Sequence, residues 1–410
     1  MLSDNNKIQS HVAAIRGNYS SNPAILKHLL FNIVLVLLYC LSNVYLGLRV
    51  WQAFGSYLNM PLYILALAGL SLVLPVAAYL LDQGREARIP AKIIAYTGFY
   101  WTAFFIYTVI LLAGTEFFRL LNSISGNLLS RLLPASLDNY RQLALWTAIG
   151  ISLVLMGVGT LLARRPRITG YLLKLDTPLP RARPLRIALL SDIHYGSLVS
   201  TANLDTMCRR VNAQHPDLIL LAGDLIDNSL DMIRQSDFTA HMSRLRAPLG
   251  VFAVLGNHEL INADEQETIN YYRAAGIRVL LDETVEIDGQ LILAGRKERS
   301  TEYSGPLDQL TPDDLLAKCN TQKPVIVLQH QPADLYDIAA AGADISLAGH
   351  THGGQLFPLN ILNRRHFDQT APYRRIDGLQ SIISDGYGTW GPPIRVGSRS
   401  EIVLIDLLPS

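Results

Sequence analysis

Thiols are scarce in this chain: its 410 residues include three cysteines, Cys40, Cys208 and Cys319. They are too few and too far apart for a disulfide framework or a zinc knot, and they suit a reducing compartment. Charge is also scarce, at 17% of residues, and it is unevenly spread. Residues 1–163 carry ten Lys and Arg against five Asp and Glu, whereas residues 164–410 carry twenty-five against twenty-nine. The near-neutral total therefore combines a basic, very apolar N-terminal part with a mildly acidic C-terminal part. Within residues 187–410 the balance is eighteen basic to twenty-eight acidic, with no basic-aromatic stripe, so a nucleic-acid partner is not favoured. The chain has no internal repeat and no low-complexity tract, which speaks against a solenoid. Nothing in the sequence specifies a protein partner.

What the N-terminal part does have is four charge-free stretches, Leu29–Leu48, Leu58–Leu81, Ile93–Thr115 and Leu143–Ala163. Each approaches the roughly twenty residues that cross a bilayer, and four in succession exceed ordinary core-helix length. Tyr45, Trp51, Tyr57, Tyr100, Trp101 and Trp146 cluster near their ends, as interfacial aromatics do. The expectation is a four-helix transmembrane domain over residues 1–163. Lys7, Arg16 and Lys27 precede the first stretch, Arg85, Arg88 and Lys92 lie between the second and third, and Arg164, Arg165, Arg167 and Lys174 follow the fourth. The opposite loops hold Arg49, Arg119, Arg131 and Arg141. That bias points to a multi-pass protein of the inner (cytoplasmic) membrane with both termini in the cytoplasm. Residues 164–186, with seven basic residues against Asp176 and several prolines, read as a juxtamembrane linker suited to anionic lipid head groups or simply to solvent.

From Pro184 the pattern changes to short Ile-, Val- and Leu-rich runs, each closed by a polar cluster. "LRIALL" precedes "SDIH", "DLILLA" precedes "GDLIDN" and "GVFAVL" precedes "GNHE"; "PVIVLQ" precedes "HQP" and "ADISLA" precedes "GHTHGGQ". Such runs read as buried strands. Thr201–Gln214, Asp231–Arg246 and Asp264–Ala275 have helical length and amphipathic spacing, and "VEIDGQLILAG" reads as a hairpin turning at Asp288-Gly289. "LQSIIS" and "EIVLIDL" add two strands. Residues 187–410 are therefore expected to form an α/β domain, with sheets flanked by helices.

Ligands of open α/β sheets gather beyond the carboxyl ends of strands. Five such ends present Asp192, His194, Asp224, Asn257, His258, His330, His350 and His352. Taken singly, each has a structural explanation: Asp192 or Asp224 as a helix N-cap, Asn257 as a turn residue, His258 as a surface histidine, and His330 as a core histidine before Pro332. Taken together, five successive exits offer metal-ligating types, several beside a glycine (Gly223, Gly256, Gly349, Gly353) that permits close approach. Imidazole, carboxylate and amide without thiolate suit Mn, Fe or Zn, with Mn favoured. The number of candidates exceeds one tetrahedral ion and suits two divalent metal ions sharing a carboxylate.

"SDIH", "GDLID", "GNHE", "QHQP" and "GHTHGGQ", in that order, resemble the signature blocks of the calcineurin-like metallophosphoesterases over roughly Arg186–Asp406. The resemblance implies two packed β-sheets flanked by helices. It implies that Asp192, His194 and His352 hold one metal, that Asn257, His330 and His350 hold the other, and that Asp224 bridges them. The "GGQ" extension and "SDGYGTWGPPIRVGSRSEI" look like the membrane-associated bacterial branch, which includes UDP-diacylglucosamine hydrolases.

Two cations of this kind acidify a bridging water, bind phosphoryl oxygens and offset charge during in-line attack by the metal-bridging hydroxide. His258 is the expected proton donor to the leaving group. Glu259 could orient it or could serve as a helix-start carboxylate, and Asp227 stands further back. Arg364, Arg365, Arg374 and Arg375, within an apolar segment after the last block, are expected substrate contacts. The favoured substrate is a phosphorylated lipid or lipid-linked nucleotide, cleaved at a phosphoester or pyrophosphate bond. The rivals are a membrane-tethered nucleotide or nucleic-acid phosphodiesterase, and a non-enzymatic receptor or transport-associated protein that uses the metal fold as scaffold.

Overall fold

The computed structural model describes residues 23–82, 89–126 and 137–409, except 197–198, 200, 228, 235, 263, 300–308, 321, 359, 362–366 and 368. Lys7, Arg16, Arg85, Arg88 and Arg131, which contribute to the expected orientation, lie outside the described residues. The chain divides into two compact units: Met1–Ser71 with Ile106–Ile149, and Leu72–Phe105 with Gly150–Ser410.

The apolar stretches are helical. Helix α1 is Pro23–Phe54. Helices α2 (Met60–Ala68) and α3 (Leu74–Asp82) are joined by one π-helical segment at Gly69–Val73. Helices α4 (Ile89–Ile124) and α5 (Leu137–Arg164) follow. Four spans, Ile33–Tyr57, Met60–Ala77, Pro90–Ile124 and Asn139–Arg164, are long and apolar enough to cross a membrane. They turn leucine, valine and isoleucine outward, which in water would expose a large apolar surface. In the first unit, polar contacts tie the helices: the Tyr63 hydroxyl donates to the Gly47 carbonyl (2.6 Å), Gln142 to the Ala53 carbonyl (3.0 Å) and Tyr140 to the Thr115 carbonyl (2.8 Å).

The second unit contains two six-stranded sheets. The first runs β1 (Arg167–Leu173), β12 (Glu401–Leu407), β2 (Leu185–Leu190), β3 (Leu218–Ala222), β4 (Val251–Val254), β5 (Arg278–Val279). The second runs β10 (Tyr373–Ile376), β11 (Leu379–Ile383), β9 (Ile345–Ala348), β8 (Val325–Leu328), β7 (Leu291–Gly295), β6 (Glu283–Ile287). β2, β3, β4 and β5 pair in parallel, as do β7, β8, β9 and β11. The β6–β7 hairpin turns at Asp288-Gly289, both with positive φ, as expected.

Side chains alternate across each strand. Ile187 and Leu189 point into the apolar layer between the sheets, with Leu220, Val254, Leu293, Ile326, Leu347 and Val403. Ala188 and Leu190 face the opposite way, onto α6 (Thr201–Asn212) and its neighbours through Leu204, Met207, Phe238 and Tyr272. Burial on both faces is why these strands read as continuous apolar runs.

Two expectations need correction. Part of the expected linker is strand β1, which pairs in parallel with β12 from Arg167↔Glu401 to Leu173↔Leu407. Its only fully buried side chain is Leu173, so it carries no apolar run to announce it. The helix expected over Asp231–Arg246 is two short ones, α7 (Leu230–Arg234) and α8 (Phe238–Met242), separated by a turn at Ser236-Asp237.

Candidate metal centre

Five strand exits converge. After β2 the chain delivers Asp192 and His194, and after β3 Asp224. After β4 it delivers Asn257 and His258 at the start of α9 (Asn257–Asn262). β8 delivers His330, and β9 delivers His350 and His352. Asp192, His194, Asp224, His350 and His352 all have positive φ, between 49° and 68°. Outside glycine this region costs about 1–3 kcal/mol per residue, so the tertiary structure is what enforces these sharp turns. Gly349 is required by proximity: a Cβ there would lie 2.5 Å from Asp192 Oδ2 and from the Ser191 Cβ. A Cβ on Gly256 would collide with the Asp224 carboxylate.

The donor atoms form overlapping groups, Asp192/His194/His352, His194/Asp224/His258 and Asp224/His330/His350, each within 4.8 Å. His194 Nε2 lies 3.0 Å from His352 Nε2, which lies 3.5 Å from Asp192 Oδ1. His330 Nε2 lies 3.1 Å from His350 Nδ1, 3.1 Å from Asn257 Oδ1 and 3.2 Å from Asp224 Oδ2. Asp224 Oδ2 is also 3.8 Å from His194 Nε2, so one carboxylate touches both sides.

The proton positions around His330 test whether a cation belongs there. Its Nδ1 is 2.7 Å from the Ala222 carbonyl, which only accepts, so Nδ1 carries the hydrogen. Nε2 then turns a lone pair toward an amide oxygen, a carboxylate oxygen and another imidazole nitrogen. Acceptors crowded without a donor repel unless a positive charge sits among them. His194 is arranged likewise, its Nδ1 lying 3.3 Å from Asp227 Oδ1 and its Nε2 facing the cluster. Carboxylate and carbonyl partners behind ligating imidazoles are the usual support of a metal site. The residues fit divalent cations.

The electrostatics agree. Burial works against the charge of Asp224, but His330, His258 and His194 outweigh it and hold its pKa well below the ordinary value. Burial opposes charge on His330, yet Asp224, Glu298 and Asp192 favour positive charge at this spot strongly enough to raise its pKa, and a divalent ion beside Nε2 would satisfy the same groups with the ring neutral. Burial and then His330 push His350 down to about 3, and burial and His194 push His352 far down. Those two rings are neutral, as ligands must be.

His258 differs. Its Nδ1 lies 2.6 Å from Asp227 Oδ1, and although burial opposes its charge, Asp227 and Asp224 raise its pKa to about 9. Asp227 is thus the residue that orients His258, a closer role than expected. Glu259 is neither an orienting group nor a simple helix-start charge. Fully buried, it accepts from the backbone N–H groups of Gly256 (2.7 Å), Asp224 (3.0 Å), Leu225 (2.6 Å) and Ile226 (3.3 Å), and from the Tyr272 hydroxyl (2.8 Å). It ties the β3 exit to the β4 exit.

Sequence reading missed Arg395, which is fully buried behind the β9 exit. Its guanidinium donates to the carbonyls of His352 (3.0 Å), Gly388 (2.6 Å) and Gly386 (3.3 Å). The only signal was its position in the segment 384–402, whose arginines look alike in sequence.

A cavity of about 350 Å³ opens over the cluster, bordered by His194, His258 and His352 on one side and by Leu356, Trp390 and Pro392 on the other. Trp390 is 59% exposed, and its ring meets that of His258 edge-on at 6.4 Å. Of the expected arginine contacts, Arg374 and Arg375 do not border this cavity. Arg374 and Arg375 lie on edge strand β10, where Arg374 donates to the Tyr336 hydroxyl (2.6 Å) and Arg375 to Asp176 (2.8 Å). Arg364 and Arg365 lie outside the described residues.

Residues 185–354 match the family model for calcineurin-like phosphoesterases. A bovine (Bos taurus) "transmembrane protein with metallophosphoesterase domain" is 33% identical over 66% of this chain and 64% of its own length, so the chain spans slightly less than two thirds of that relative. A metallophosphoesterase of Aquifex aeolicus is 31% identical over 62% of the chain and 98% of its own length. One from Campylobacter jejuni is 27% identical over 92% of the chain and 98% of its own length. The chain belongs to the calcineurin-like metallophosphoesterases. The metallophosphoesterase names of these relatives favour the enzymatic reading over the non-enzymatic alternative.

Proposed function

We propose that this protein is a membrane-anchored dimetal hydrolase of a phosphoester or pyrophosphate bond in a lipid-linked substrate, with residues 1–163 as membrane domain and residues 187–410 as a catalytic domain facing the cytoplasm. The observation that carries the lipid reading is the double contact of one loop. Trp390 and Pro392 border the cavity over the metal-ligand cluster. A few residues on, the Arg395 N–H donates to the Gly159 carbonyl of α5 (3.0 Å). A Cβ on Gly159 would lie 3.0–3.3 Å from Arg395, Val396 and Ile394. Gly159 lies five residues before the end of α5, about 7 Å along the helix. The wall of the cavity is therefore anchored on an apolar helix near its end, where acyl chains and head groups meet.

Asp192, His194 and His352 would hold one ion and Asn257, His330 and His350 the other, with Asp224 shared; manganese is favoured for a set without thiolate. When bound, such ions neutralise phosphoryl oxygens and acidify water. His258, held in its protonated form by Asp227, delivers a proton to the departing oxygen. Leu356, Trp390 and Pro392 receive the apolar part of the substrate and exclude water from it.

Hydrolysis by the manganese-loaded protein in detergent tests this, with a lipid-linked pyrophosphate, a phospholipid and a soluble nucleotide diester compared side by side. Turnover of a lipid, lost in His258→Ala, is the expected result. Turnover of the nucleotide alone would reduce the helices to an anchor and overturn the lipid reading.

A further inference from the structure

The loop that walls the metal cavity has a second cavity at its back. This one, about 440 Å³, is bordered by Arg164 at the end of α5, Tyr96 of α4, Thr206 and Arg210 of α6, and Thr389 and Pro393 of the loop. Its volume falls within the roughly 300–1,000 Å³ of small-molecule sites. Neither the Arg164 nor the Arg210 guanidinium has an ion-pair or hydrogen-bond partner among the described residues. Two cations facing one space repel each other. An anion between them removes the repulsion and uses donors of both, and phosphate suits two planar guanidinium groups especially well. Tyr96, Thr206 and Thr389 line the same space.

Position narrows the source of that phosphate. Asn139–Arg164 is long and apolar enough to cross a membrane, and Arg164 is its last residue. A cavity at that level meets the phosphates of the bilayer surface, where basic side chains are drawn to anionic lipid.

We propose that this cavity binds the phosphate of a membrane phospholipid head group, at a site separate from the metal centre. It rests on reading α4 and α5 as membrane spans, as in the function proposed above. Its second consequence is mechanical. Thr389 borders the lipid cavity and the next residue, Trp390, borders the metal cavity, so an occupied head-group site holds the substrate wall in place.

The test uses the full chain in detergent with fluorescent phosphatidylglycerol as probe. Saturable binding is expected, weakened at least about tenfold in the Arg164→Ala/Arg210→Ala double variant. Thr206→Phe fills the cavity but keeps both charges, and it should weaken binding to a similar degree. Both variants should keep wild-type turnover of a soluble aryl phosphodiester, which shows that they fold. Binding within about twofold of wild type in either variant would overturn the site. Loss in the double variant alone would mean diffuse surface charge and would overturn it too. Displacement of the lipid by an equal concentration of inorganic phosphate or glycerol phosphate would overturn the lipid source. Release of the chain from membranes by alkaline carbonate would sink the membrane reading together with the site, whereas failure of the variants in a carbonate-resistant protein sinks the site alone.

Discussion

Beneath the exits of β3 and β4 the buried supporting charge is Glu259; behind the exit of β9 it is Arg395. The first accepts four backbone N–H groups, and the second donates to three backbone carbonyls. Buried main-chain groups must be paired, and a sharp left-handed turn at a strand end removes them from the ladder. The β3 and β4 exits direct backbone donors inward, whereas the β9 exit and the 386–388 turn direct carbonyls inward, of which those of His352 and Gly386 also accept from the Gln355 and Glu401 N–H groups. The sign of each support therefore follows from the kind of backbone group turned toward it, not from the charge of the neighbouring ligands.

The largest expected effect joins the two halves. Asp224→Asn removes the carboxylate shared between them, and activity should fall by about 10⁴-fold or more, as when one member of a cooperating set is lost. Elemental analysis should find less metal per chain than in wild type; unchanged metal content would end the bridging assignment. Next come the supports themselves. Arg395→Met strands the Gly388 carbonyl and leaves Asp385 and Glu401 without their buried cation, at about 3–5 kcal/mol. Glu259→Gln keeps one acceptor oxygen and should cost about 1–3 kcal/mol. Denaturant titration of both variants measures the contrast, and equal losses would dissolve it.

His258→Ala should reduce turnover about 10²- to 10⁴-fold for a poor leaving group and much less for a phenolate that leaves unprotonated. An equal loss with both substrates would deny His258 its proton. The smallest effect is at Asp227→Asn, about 10- to 100-fold. Because Asp227 helps raise His258 to about 9, the acid form is present below that pH and is lost as pH rises through it. Without Asp227 the alkaline limb of the pH–rate profile should move to lower pH. An unmoved limb would mean that another group sets it.

Much of this was legible from residues alone. β2 falls on "LRIALL" and β12 on "EIVLIDL", because strands buried on both faces cannot avoid continuous apolar runs. The ligand candidates were legible because they follow such runs directly. β1 was not, since an edge strand with mostly exposed side chains needs no apolar pattern. β10 is hidden for a similar reason, and Arg374 and Arg375 read as substrate contacts because sequence distance from "GHTHGGQ" says nothing about the direction the chain takes afterwards.

By itself the sequence determined the composition of the two parts, the parallel-strand architecture and the candidates for the metal-ligating set. These depend on local periodicity and on which residue types follow each run. Only the tertiary structure decided that Asp227 rather than Glu259 orients His258, that Arg395 lies buried behind His352, and that one loop borders both the metal cavity and the end of α5. Such contacts join residues far apart in the chain, and their partners are chosen by which polar groups the packed sheets turn inward together, a quantity that exists only once the chain has folded.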